Sequence, residues 1–131
     1  MVKLSASKVK KPVILLLLVS MLLMSFGCSG PVHTNPQETI NTRVGKGFTI
    51  GLHVVKRLGA SWQVSYDEEM LALENEKYTD NNPKSPGLDG TQYFRFAAVK
   101  VGETQIECSL KHGRTGPVSE QKTFSIQIEG G

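Results

Sequence analysis

From residue 47 onward, apolar and polar side chains alternate in short runs broken by Gly, Pro, Asn and charged clusters. Phe48, Ile50 and Leu52 alternate with Thr49 and Gly51, the period of two that puts alternate side chains of an extended chain on opposite faces. The same period recurs in Trp62, Val64 and Tyr66, in Phe94, Phe96 and Ala98, in Ile106, Cys108 and Leu110, and in Phe124, Ile126 and Ile128. Each row predicts a half-buried strand. Met70 to Leu73 is an apolar run too short to choose between strand and helical turn by itself; we read it as a strand reaching Tyr78. No helical period of ten residues follows the N-terminal leader. Short strands at roughly ten-residue spacing, joined by Gly- and Pro-rich turns, predict an all-β, immunoglobulin-like antiparallel β-sandwich.

Trp62 is the only Trp and stands where a loop enters a strand. Burying an indole removes roughly 150–250 Å² from water, about 4–6 kcal/mol as an upper estimate. Gly59, three residues earlier, offers a position that can take positive φ and turn the chain into that strand. Three stretches connect these rows. The first, 53–60, is an exposed loop or a short strand followed by one; the long segment 79–90 with its Asn-Asn-Pro and Ser-Pro-Gly sequences, and 111–117, are too rich in turn residues to be strands. A loop as long as the second is uncommon in a small domain and often functional.

The N-terminus has a different character. Lys3, Lys8, Lys10 and Lys11 precede the apolar run Val13 to Met24, which is too short to span a bilayer and fits the core of a secretory signal. The run closes on Gly27-Cys28, a small residue before Cys that resembles the acylation box of bacterial lipoproteins, although Ser25 and Phe26 depart from its usual residues. The expected organisation is a lipoprotein-type signal peptide over 1–27, a flexible tether over 28–43 and a monomeric domain over 44–129. Cys28 is the expected lipid attachment point in an exported, envelope-bound protein. Removing the leader changes the charge balance: eleven basic side chains then face twelve acidic ones, a net charge of −1 in place of +3. That leaves no electrostatic footprint for nucleic acid.

Candidate chemistry is sparse. With Cys28 lipidated, Cys108 has no partner for a disulfide, and its alternation with Ile106 and Leu110 makes it a small buried hydrophobe. His33, His53 and His112 have no metal-ligand spacing and are expected to be solvated. Asp67-Glu68-Glu69 lacks the alternating oxygen ligands of a calcium loop and is expected to be a solvated turn. No nucleophile elbow, phosphate loop or paired-carboxylate pattern is present, so the residues make no case for an enzyme, a cofactor or a metal.

The order of parts is more specific. Gly47-Phe48-Thr49-Ile50 is followed by Gly59-x-Ser61-Trp62, then Pro86-Gly87-Leu88-Asp89-Gly90-Thr91, then Phe94-x-Phe96, then Gly102-x-Thr104. This order resembles the chagasin family of cysteine-protease inhibitors across about Val44 to Ile128. The resemblance implies an immunoglobulin-like sandwich that blocks papain-like cysteine peptidases non-covalently, with three loops from one end. It places those loops on Val55, Lys56, Arg57, Leu58 and Gly59; on Gly87, Leu88, Asp89 and Gly90; and on about His112, Gly113 and Arg114. The framework is kept better than the loops. Of the family's Asn-Pro-Thr-Thr-Gly only Gly59 remains, of its Gly-x-Gly-Gly the middle glycine is lost, and of its Arg-Pro-Trp nothing survives. Lys56 and Arg57 are expected to bring two positive charges to the tip, to be matched by acidic groups on a target. The alternative is an envelope lipoprotein that has lost inhibition and binds another protein or serves structurally.

Overall fold

In the computed structural model, which describes residues 31–113 and 115–131, the alternating rows face one another across two sheets. Among these residues there are eight strands: β1 Val32–His33, β2 Ile40–Arg43, β3 Gly47–Val54, β4 Ala60–Ser65, β5 Leu71–Asp80, β6 Gly90–Ala98, β7 Gly102–His112 and β8 Val118–Glu129. One sheet has the order β1-β3-β6-β5 and the other β2-β8-β7-β4. The inward rows supply the core: Phe48, Ile50, Leu52, Phe94 and Phe96 from the first sheet meet Trp62, Ile106, Cys108, Phe124, Ile126 and Ile128 from the second. Phe96 lies at the centre, stacked 5.7 Å from Phe48 and edge-on to Tyr66 at 5.0 Å. Burial raises the Cys108 thiol to about 11, so it stays protonated and inert.

The tether expected over 28–43 is corrected over its described part. β1 pairs in parallel with β3, Val32 opposite Thr49, and β2 pairs in parallel with β8, Ile40 opposite Ile126. Ile40 is fully buried. Strands of two and four residues are too short to show a period, and an edge strand can be held by one inward apolar side chain. The leader 1–27 and Cys28 lie outside the described residues.

All three loops are shorter than the stretches read from the sequence. Of the two readings of 53–60 the strand followed by a loop is the one found, since β3 continues through His53 to Val54; β5 takes in Thr79 and Asp80 and β6 takes in Gly90, so the second loop is 81–89; and β7 runs on to His112, so the third loop shortens to 113–117. The strand ends sort into two groups. The β3–β4, β5–β6 and β7–β8 connections share one end. The β2–β3, β4–β5 and β6–β7 turns share the other, where Gly45 N–H donates to the Ala98 carbonyl (2.9 Å) and Val99 N–H to that of Met70 (2.8 Å).

Candidate functional site

The three connections at the first end are bonded to one another. Residues Lys56–Leu58 form a single 3₁₀ turn that ends at Gly59, whose φ of 76° is left-handed and strained for any side chain. On one side of this turn, Arg57 N–H donates to the Gly87 carbonyl at 2.8 Å, and the Arg57 guanidinium reaches the Pro86 carbonyl at 3.2 Å. On the other side, Gly113 N–H donates to the Gly59 carbonyl at 3.0 Å, and His112 Nδ1 lies 3.5 Å from that of Leu58. The first loop is therefore held between the second and the third.

Beneath the loops the strands supply the supports. Trp62 donates its indole N–H to the His53 carbonyl at 2.7 Å, fixing the end of β3 just before the first loop. Gln92 on β6 reaches across to the other sheet: its Oε1 accepts from Trp62 N–H at 2.7 Å and its amide nitrogen approaches the Trp62 carbonyl at 3.4 Å. Asp80, at the end of β5, receives both the Tyr78 hydroxyl (2.6 Å) and Gly87 N–H (3.0 Å) on one oxygen. Lys56 Nζ stands 4.3 Å over the Tyr78 ring, a cation–π contact joining the first loop to the support of the second. Asp89 takes bonds on one oxygen from His53 Nε2 at 2.7 Å and Asn81 Nδ2 at 3.0 Å, while Thr91 holds the Asn81 carbonyl oxygen at 3.0 Å.

The two positive charges expected on the first loop are exposed there, next to Leu58, which is 67 % exposed, and across from Leu88 at 44 %. Lys56 also lies on Tyr78 and Arg57 on the Pro86 carbonyl, so both cations brace the cluster as well. Arg114 lies outside the described residues.

Tyr78, Asp80 and Gln92 were not singled out from the sequence. Gln92 had a signal, since it falls on the inward row of Phe94, Phe96 and Ala98, where a polar side chain needs a buried partner. Tyr78 and Asp80 had none, because a β-bulge between Leu73 and Asn75 shifts their register and turns them to the face opposite that expected from Leu71 and Leu73. Gly90 is placed by the same contact: a Cβ there would collide with the Tyr78 ring.

The electrostatics favour a cluster stable over a wide pH range. The Tyr78 hydroxyl, followed by Gly87 N–H, holds the Asp80 carboxyl below its ordinary value of 3.8; Asn81, followed by His53, does the same for Asp89. The bond to Asp80 in turn raises Tyr78 above 10.0. A depressed carboxyl contributes stability above its unfolded value and loses it as pH falls through its folded one. A raised tyrosine contributes below its unfolded value and loses it as pH rises through the folded one. The Gly87 amide resonance is therefore expected to hold its shift from about pH 9 to about pH 5 and to move only below the ordinary carboxylate range. Movement near pH 6 would contradict this assignment of the supports.

The comparisons with known proteins agree with the fold. A model of the chagasin family of peptidase inhibitors matches residues 41–128. The chain belongs to that family. This inhibitor is not an enzyme. Its fold is shared with the cysteine protease inhibitor EhICP2 from Entamoeba histolytica, at a TM-score of 0.61 and 19 % identity, covering 76 % of this chain and 100 % of that one. It is also shared with the solution structure of amebosin, at a TM-score of 0.58 and 24 % identity, covering 78 % and 100 %. At such identities the likeness is one of fold. No curated protein matches the inhibitor in sequence.

Proposed function

We propose that this chagasin-family cysteine protease inhibitor acts on papain-like peptidases through its three clustered loops, and that Cys28 carries the lipid that holds it in a bacterial envelope. The observation that supports the loop assignment is the bonding of the first loop on both flanks, by Gly87 on one side and Gly113 on the other. A wedge set before binding loses little freedom on entering a cleft. It also presents a narrow backbone and the exposed side chains of Leu58 and Leu88 to a groove that must be filled without offering a cleavable bond. Three loops together can reach the roughly 800 Å² per partner of a standard interface; one could not.

The test is inhibition of a panel of papain-like peptidases by the leader-free chain, alongside Gly87→Ala and Lys56→Ala. Gly87 has a φ of 79°, so Gly87→Ala strains the second loop and is expected to weaken inhibition. Lys56→Ala is expected to weaken it, because the exposed ammonium braces Tyr78 from the first loop. Absence of inhibition across the panel at micromolar concentration would remove the papain-like assignment and favour a loop surface for some other protein. The anchor is tested separately, by mass spectrometry of the mature N-terminus: an acylated Cys28 is expected, and a soluble unmodified product that is unchanged by Cys28→Ser would refute it.

A further inference from the structure

β1 enters its sheet in a direction that bears on where the loops can be. It runs parallel to β3 with Val32 opposite Thr49 and His33 opposite Ile50, and β3 runs from Gly47 towards the first loop. The chain therefore arrives at β1 from the end of the sandwich away from the loops. Only Ser29, Gly30 and Pro31 separate Cys28 from Val32, and four fully extended steps reach at most about 14 Å. From Thr49 to Val54 the strand already rises about 17 Å, with the first loop still beyond it.

We propose that the loop-distal end of the domain is a membrane-facing surface that rests on the lipid headgroups to which Cys28 is anchored, so that the loops point away from the bilayer. This rests on the lipid anchor of the preceding section. The end has a surface suited to that partner. The β6–β7 turn carries Val99 and Val101, 51 % and 56 % exposed, with Lys100 between them. Lys46 lies beside it, its carbonyl bonded to Ala98 N–H at 3.0 Å. Two exposed valines flanking a lysine have no role in the core or in the loop cluster. At a headgroup surface the side chains gain an apolar boundary and the lysines meet anionic phosphates. The neighbouring Asp67-Glu68-Glu69 turn is acidic, which limits the electrostatic attraction and leaves the covalent lipid as the principal anchor. The inhibitor so oriented serves peptidases that approach from the aqueous side.

The experiment uses the full chain, processed and lipidated in a bacterial host, and reconstituted in phosphatidylethanolamine–phosphatidylglycerol vesicles containing a headgroup nitroxide. An environment-sensitive fluorophore is placed by Lys100→Cys or, at the other end, by Lys84→Cys in the second loop. Cys108 is fully buried and remains unlabelled. Quenching is expected to be several-fold stronger at position 100 than at 84, and Val101→Asp is expected to reduce it at 100 without changing inhibition. Equal quenching at the two positions, or stronger quenching at 84, on protein whose mass shows an acylated Cys28 would overturn the orientation and leave the anchor standing. An unacylated Cys28 would overturn both.

Discussion

Trp62→Ala is expected to abolish cooperative unfolding, or to lower its midpoint to near ambient temperature, as followed by circular dichroism. Removing a large aromatic side chain from a packed core costs about 3–5 kcal/mol, against a total of about 5–15 kcal/mol for a small domain. Trp62 is 3 % exposed and packs in the single core cluster, and its indole N–H also serves the His53 carbonyl. Trp62→Phe separates the two contributions. It keeps most of the apolar area and leaves that carbonyl without its donor, so it is expected to cost about 1–3 kcal/mol less than the alanine variant. A well-folded Trp62→Ala domain with an unchanged midpoint would contradict the placement of this residue at the centre of the fold.

Asp80→Ala is expected to do the opposite, leaving the fold intact while weakening inhibition by about tenfold or more, because the second loop then orders itself only on binding. Its carboxylate gathers the Tyr78 hydroxyl and Gly87 N–H, and Lys56 stands over the same ring. One substitution therefore loosens the second loop directly and the first through Tyr78. The measurement is the inhibition constant set beside the thermal midpoint, with Tyr78→Phe as the partner that removes the hydroxyl but keeps the ring under Lys56. Tyr78→Phe is expected to fall between wild type and Asp80→Ala. Equal inhibition by all three would show that the loops are held by the Arg57–Gly87 and Gly59–Gly113 backbone bonds alone.

The strands that carry the core were legible because alternation is a direct record of one buried face. Phe48 to Leu52, Phe94 to Ala98 and Phe124 to Ile128 all face inward as their period predicts. The positive φ at Gly59 was legible for a similar local reason. The supports of the loops were not, because they depend on events between distant residues. The bulge after Leu73 reverses the faces of Tyr78 and Asp80 and exists only in the pairing of β5 with β6. The bracing contacts of Lys56 and Arg57 were not legible because nothing in their own neighbourhood announces a tyrosine ring or a proline carbonyl some twenty to thirty residues away. β2 was missed for the same reason, since its partner is the last strand of the chain.

That pairing has a consequence for when the domain can form. β2, which carries Ile40, pairs with β8, and β8 lies between β2 and β7 in its sheet. A chain in which residues 118–129 are not yet available has no pairing partner for β2 and lacks an inner strand of that sheet. Topologies dominated by such distant pairings close slowly, on the order of milliseconds to seconds. The sheet that carries Trp62 is therefore completed only once residues 118–129 are available to lie between β2 and β7.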